Sequence, residues 1–136
     1  VLKNKRKDGS ALKDLPAFTK IMPYLMPAKT ESIIFYQEDY DVTETVAYIK
    51  EHNRRFMRRD GAILTLFEVV LCATARAVCM RPKINRFIAG RRYYQRNQVL
   101  LSFVAKKELS DEGKEVNIKV PFATDDTLSS VAKRVG

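Results

Sequence analysis

Glu115-Val116-Asn117-Ile118-Lys119-Val120-Pro121-Phe122 carries an apolar side chain at every second position. Val116, Ile118, Val120 and Phe122 fall on one face of an extended chain, and Glu115, Asn117 and Lys119 on the other. Period-two alternation marks a strand with one covered face. Upstream, residues 93–107 contain the β-rich run Val99-Leu100-Leu101-Ser102-Phe103-Val104. Ser110-Asp111-Glu112-Gly113 lies between the two runs and has the composition of a turn. The two strands are therefore expected to pair antiparallel across it.

Working outward, residues 127–135 place Leu128, Val131, Ala132 and Val135 at helical spacing, with Thr124 or Asp126 as the expected cap. No C-cap signal follows, and the expectation is that further chain does. On the other side, residues 62–80 read as a long helix that is apolar nearly all round and closed by Pro82, which implies burial on most sides. Glu68 and Arg76 fall roughly on one face of it and favour a helix inside a globule over a membrane span. Val46, Ile49 and Phe56 form the apolar stripe of a preceding helix. Asp41 or Thr43 caps that helix, and Glu44 completes a capping box if the cap is Asp41. Arg54, Arg55, Arg58, Arg59, Asp60 and Gly61 mark a charged turn after it.

Residues 32–40, rich in Ile, Phe and Tyr, read as a strand covered on both faces. Residues 17–26 suit a short helix stopped at the Met26-Pro27 step, with Pro23 early in it or kinking it. Residues 1–16 form a basic leader or arm ahead of a domain over 17–136. The order helix, strand, helix, helix, strand, strand, helix predicts an α/β (α+β) fold with a mixed sheet.

The chain has 136 residues, 25 Lys+Arg against 16 Asp+Glu, a formal charge of +9 and 46% hydrophobic residues. That balance excludes a wholly disordered chain, a collagen-like repeat and a disulfide-stapled mini-protein. On a helix, Cys72 and Cys79 are separated by a rise of roughly 10 Å, too far for a disulfide. They read as buried free thiols of a cytoplasmic protein. Two Cys and one His cannot furnish a four-ligand metal site. The first twenty residues lack the apolar core of a signal peptide. His52 lies off the apolar stripe of its helix and reads as a bystander. No phosphate loop, nucleophile elbow or zinc-binding helix motif is present. No catalytic residue is assigned.

Residues 81–96 hold Arg81, Lys83, Arg86, Arg91, Arg92 and Arg96 without one acidic residue, interleaved with Phe87, Tyr93 and Tyr94. Three readings stand: a solvated or interface loop, a field attracting a phosphate-bearing cofactor such as coenzyme A, and a nucleic-acid surface. Nucleic acid is the least favoured of the three. Arg86, Arg91, Arg92 and Arg96 are the candidate anion-attracting residues.

Arg81-Pro82-Lys83-Ile84-Asn85-Arg86-Phe87-Ile88-Ala89-Gly90-Arg91 belongs to a wider pattern. It continues in Tyr94-Gln95-Arg96-Asn97, Ser102-Phe103-Val104-Ala105-Lys106-Lys107 and Leu109-Ser110-Asp111-Glu112-Gly113. Together with Met22-Pro23-Tyr24-Leu25-Met26-Pro27 and Tyr40-Asp41-Val42-Thr43, this resembles the chloramphenicol-acetyltransferase-like superfamily. The closer likeness is to the acyltransferase domain of 2-oxo acid dehydrogenases, the dihydrolipoamide acyltransferase core. It spans residues 17–136 and the N-terminal half of the family's domain.

The resemblance implies a two-layer sandwich that assembles as a homotrimer, with active sites between subunits. It also implies acyl transfer between coenzyme A, a co-substrate and not a covalently bound cofactor, and a hydroxyl or thiol acceptor. The family's general base is the His of a His-x-x-x-Asp-Gly motif, with a hydroxyl donor to the tetrahedral oxyanion. That string is absent here: His52 is followed by Asn53, Arg54, Arg55, Phe56 and Met57. An Arg that in some acetyltransferases steadies the catalytic loop is also absent, where this chain has Ala17-Phe18-Thr19-Lys20. By the resemblance, Leu25, Met26, Ser32 and Ile34, with Leu100 and Ser102 of the later strand, line the acceptor pocket. Ordinary core or interface packing is the alternative for all six. The apolar excess of residues 62–80 implies self-association or cover by the remaining half of the domain.

Overall fold

The computed structural model describes residues 6–56, 63–106 and 113–135. In chain order the elements are β1 (Gly9–Ala11), α1 (Ala17–Leu25), α2 (Lys29–Ser32), α3 (Thr43–Phe56), α4 (Leu66–Met80), a 3-10 turn (Pro82–Asn85), β2 (Arg86–Ala89), β3 (Arg92–Arg96), β4 (Val99–Lys106), β5 (Glu115–Phe122) and α5 (Leu128–Val135). They divide into two compact units, one drawn from residues 1–40 and 81–97, the other from 41–80 and 98–136. The class is mixed α and β, with small antiparallel sheets.

The second unit is organised by the β4–β5 pair, antiparallel as the alternation predicts, with Leu101 opposite Val120 and Phe103 opposite Ile118. Of the expected turn, Ser110, Asp111 and Glu112 lie outside the described residues. The inward side chains Val99, Leu101, Phe103, Ile118, Val120 and Phe122 pack with Leu71 and Ala75 of α4 and Val131 of α5. Val131 is fully buried, and such burial stabilises by about 1.5–3 kcal/mol. Phe67 meets Phe103 edge-on, ring centroids 5.1 Å apart. A second cluster joins Ile49 of α3 to Leu64 and Ala132.

Helix α4 begins at Leu66, four residues later than its apolarity alone predicts. Thr65 is its cap. The Thr65 hydroxyl accepts the Phe67 N–H at 3.2 Å and donates to Glu68, while Glu68 Oε2 accepts the Thr65 N–H at 2.8 Å. This Thr-x-x-Glu box turns Glu68 inward, where it is buried, whereas Arg76 is exposed. Burial of α4 is also one-sided: Leu71 and Ala75 are buried, but Leu66, Phe67, Val70 and Met80 are exposed. The expected burial on most sides is therefore corrected, because one two-stranded ribbon and its companion helices cover a single face. No helix among the described residues is long and apolar enough to cross a membrane.

Just before α4, Asn53 grips the main chain of Leu64. Its Oδ1 accepts the Leu64 N–H at 2.9 Å, and its Nδ2 donates to the Leu64 carbonyl at 2.7 Å. Asp41 Oδ1 accepts the N–H and hydroxyl of Thr43 at the start of α3, which holds its carboxyl below the usual range. On the same helix, the guanidiniums of Arg55 and Arg54 depress the Glu51 carboxyl. The cap of α5 is Thr127, not Thr124 or Asp126: Thr127 and Ser130 exchange side-chain and backbone hydrogen bonds at 3.0 and 3.2 Å. Asp126 instead binds Arg134 through both guanidinium nitrogens, at 2.7 and 2.9 Å, and accepts from Ala123 N–H and the Ser130 hydroxyl. Arg134 above all holds the Asp126 carboxyl far below the usual range.

In the first unit, α1 ends where the sequence predicts: Met26, ahead of Pro27, leaves the helical region with φ −123° and ψ 76°. Pro23 sits inside the helix and is buried. Residues 33–40 correct a further expectation. Ser32 closes α2, and 33–40 belong to no described helix or sheet. The segment has strand composition, but a strand exists only beside another edge, and within its unit none adjoins it. It is ordered locally: Glu38 accepts hydrogen bonds from Tyr40 at 2.6 Å and Tyr36 at 3.0 Å. Those bonds lower the Glu38 carboxyl and raise the Tyr40 phenol. Both described sheets are antiparallel throughout, so the expected mixed sheet is absent among the described residues.

Candidate functional site

The basic stretch 81–96 is a 3-10 turn followed by a hairpin and not a loop. Gly90 and Arg91, at φ 54° and 61°, form the two-residue connection between β2 and β3. Two successive positive φ values are the conformation whose twist suits a hairpin. Glycine adopts it freely, while for Arg91 it is uncommon. β3 is central in the order β1-β3-β2, with Phe87 opposite Tyr94 on one side and Ala11 opposite Tyr94 on the other. Asn97 fastens the leader to this sheet, its N–H bonding to the Asp8 carbonyl and its Nδ2 to that of Lys7.

Alternation puts Phe87, Ala89, Arg92, Tyr94 and Arg96 on one sheet face and Arg86, Ile88, Tyr93 and Gln95 on the other. On the first face Phe87 and Tyr94 stack, 5.3 Å apart and inclined by 17°. The Arg96 guanidinium lies 4.6 Å from the Phe87 ring centroid, and that of Arg6 lies 5.3 Å from Phe87 and 5.6 Å from Tyr94. The ring faces attract the cations through their quadrupoles. Gly9 makes room for the arrangement. A Cβ there would fall 2.7 Å from the Gln95 carbonyl oxygen and 2.8 Å from the Phe87 ring.

The cations differ in how they are engaged. Arg6 forks onto Asp8 at 2.8 and 3.0 Å, which raises the guanidinium pKa and lowers that of the carboxyl. Arg86 donates to Gln95 Oε1, whose amide in turn donates to the Pro82 and Asn85 carbonyls and ties the 3-10 turn to the hairpin. Arg91 lies over Tyr24, 5.2 Å from the ring centroid. Among the described residues no carboxylate is within ion-pair distance of Arg91, Arg92 or Arg96. Their forked donors can therefore meet phosphate or carboxylate oxygens.

The expected pocket-wall residues fall in both units. In the first, Leu25 is exposed at the end of α1, Met26 is half-buried beyond it, and Ser32 turns its hydroxyl onto the Lys29 carbonyl at 3.1 Å. Ile34, 91% exposed, lies in the segment 33–40. In the second, Leu100 and Ser102 share the outer face of β4, and Ser102 Oγ donates to Asn117 Oδ1 at 2.6 Å. His52 is half-buried on α3 with its ring 5.9 Å from that of Tyr48. Cys72 and Cys79 are free, half-buried thiols. Among the described residues no group of His, Cys, Asp or Glu is placed to hold a metal ion.

Sequence reasoning missed Arg6, Gly9 and Tyr24 as parts of this surface. Arg6 and Tyr24 meet residues more than sixty positions away, and no local pattern signals such contacts. Gly90 was a usable turn signal inside an aromatic run. No family model, curated protein or solved structure matches the chain.

Proposed function

We propose that residues 17–136 are the N-terminal part of a coenzyme-A-dependent acyltransferase with the chloramphenicol-acetyltransferase-like fold, a two-layer sandwich. It moves an acyl group between coenzyme A and a thiol or hydroxyl acceptor. The observation that carries this reading is the run from Arg81 to Arg91 with its continuations at 94–97, 102–107 and 109–113. In its support, the part at 81–97 is one interlocked element, in which Gln95 and the Gly90-Arg91 turn have evident structural roles.

In this reading the chain supplies walls and a positive surface. Leu25, Met26, Ser32, Ile34, Leu100 and Ser102 border the acceptor, and Arg86, Arg91, Arg92 and Arg96 attract the phosphates of the acyl donor. The general base comes from chain outside these 136 residues, and the working form is a homo-oligomer, a trimer by the resemblance. The test is thiol release from acetyl-coenzyme A by the 136-residue chain. No turnover above background is expected; turnover abolished by His52→Ala refutes the reading.

A second reading, a non-catalytic scaffold or anion-binding module, draws on Arg91, Arg92 and Arg96 having no described carboxylate within ion-pair distance. It predicts oligonucleotide binding that weakens steeply with salt. Absence of binding at low salt removes it.

A further inference from the structure

The tip of the β2–β3 hairpin carries an arginine where the backbone favours glycine. Arg91 has φ 61°, in the left-handed region, beside Gly90 at φ 54°. There the Cβ crowds the backbone, and Gly or Asn holds such a turn at less cost. Local packing does not account for the exception. A Cβ built at Gly90 meets no atom within 4 Å beyond its chain neighbours, and Gly90, Arg91 and Arg92 are all exposed. The Arg91 guanidinium instead reaches the Tyr24 ring of α1, 5.2 Å from its centroid. Backbone strain of this kind clusters where the side chain it presents has a use.

Helix α1 sets a second cation beside the same ring. Lys20 lies one turn before Tyr24, so the two side chains are neighbours on the helix surface, and both are exposed. The Lys20 ammonium, the Tyr24 hydroxyl and the Arg91 guanidinium thus share one open patch of the first unit. Among the described residues no carboxylate is within ion-pair distance of Lys20 or Arg91. The surrounding field has the same sign. Residues 1–40 and 81–97 hold thirteen Lys and Arg against five Asp and Glu, while the rest of the chain is nearly balanced at twelve against eleven. Such a field draws anions toward the patch.

We propose that Lys20, Tyr24 and Arg91 form a binding site for a phosphate group, with the Arg91 fork as its principal grip. Two cations match the near-double negative charge of a terminal phosphate, and three donor groups match its three oxygens. A carboxylate offers one charge and two oxygens. The phosphate belongs to a soluble ester or anhydride or to a lipid headgroup; the chemistry that holds it is the same. Arg86 has no part in the site, because its guanidinium donates to Gln95 within the frame of the hairpin. The site goes beyond the donor-phosphate reading above, which neither Lys20 nor Tyr24 enters.

Calorimetric titration of the 136-residue chain with inorganic pyrophosphate at low salt tests the proposal. Saturable binding is expected. Arg91→Gly weakens it by about 10-fold or more without lowering the melting temperature, because glycine adopts φ 61° freely. An arginine that only pins the turn to Tyr24 gives the reverse, lower melting with unchanged affinity, and that result overturns the proposal. Lys20→Gln weakens binding by about 10-fold, and Tyr24→Phe, which keeps the ring beside Arg91 and loses only the hydroxyl, by about 3-fold. Lys83→Gln removes the same charge toward the other end of the hairpin and stays within about 2-fold of wild type. Added cosedimentation with phosphatidylglycerol vesicles, lost in Arg91→Gly, assigns the phosphate to a lipid headgroup; pyrophosphate binding without cosedimentation assigns it to a soluble ester or anhydride. If pyrophosphate does not saturate the wild-type chain, or if Arg91→Gly and Lys20→Gln bind it as tightly as wild type, the site is refuted. Coenzyme A binding wild type and both variants alike then leaves the donor reading standing. Pyrophosphate binding that needs Arg91 and Lys20, with no binding of coenzyme A, leaves the site standing and counts against that reading.

Discussion

Asn53→Ala isolates the link between α3 and the entry to α4. Two hydrogen bonds, 2.7 and 2.9 Å long, join one side-chain amide to both main-chain groups of Leu64. Leu64 is 1% exposed and packs with Ile49 and Ala132, so its backbone has poor access to replacement water. Each bond contributes about 0.5–1.5 kcal/mol net, and a buried partner left unpaired costs about 1–3 kcal/mol. Asn53 is itself half-buried, which admits some solvent and places the loss near the lower sum, about 2–3 kcal/mol. For a domain of this size that is a drop of roughly 10 °C in melting temperature. Urea unfolding monitored by circular dichroism measures it. Asn53→Asp keeps the acceptor but sets a carboxylate oxygen against the Leu64 carbonyl, so at neutral pH it destabilises at least as much as Asn53→Ala. Below about pH 4 the introduced carboxyl gains a proton to donate, and the deficit relative to wild type narrows. If Asn53→Ala unfolds within about 0.5 kcal/mol of wild type, a difference expected of an ordinary surface substitution, or if Asn53→Asp is the milder change, the clamp does not hold this joint.

Two further outcomes follow from single contacts. Gly9→Ala drives a Cβ into the Gln95 carbonyl and the Phe87 ring and destabilises the β1–β3 pairing by about 1–3 kcal/mol; amide exchange at Leu12, whose N–H donates to the Tyr93 carbonyl, accelerates accordingly, and unchanged exchange contradicts the packing. The depressed carboxyl of Asp126 contributes stability that is complete above the usual carboxylate range and lost as pH falls through it toward the folded-state pKa; Asp126→Asn is therefore less stable than wild type at pH 7 by about 1 kcal/mol, and the two unfolding curves converge in acid.

Legibility tracked locality. β4 and β5 were readable because Val116, Ile118, Val120 and Phe122 alternate over a long run with a turn signal before it. The helices α3 and α5 were readable from stripes such as Leu128, Val131, Ala132 and Val135. The start of α4 was written in Thr65 and Glu68, but the apolarity of the residues ahead of the box masked it. The hairpin β2–β3 was hidden because its strands are four and five residues long, and Arg91 takes a positive φ that no β-turn preference for Asn or Asp announces. Residues 33–40 show the opposite failure: strand propensity is a property of side chains, whereas a ladder needs a neighbour. Of the candidate surface, the cations at 86–96 were visible as charge, while the Phe87–Tyr94 platform and the docking of Arg6 depend on pairing that only the folded sheet creates.

Sequencing the parent protein across Gly136, together with its intact mass, tests the functional reading most directly. The acyltransferase reading predicts a His-x-x-x-Asp-Gly motif in the chain that follows. A parent protein that stops at Gly136 and sediments as a folded monomer contradicts it.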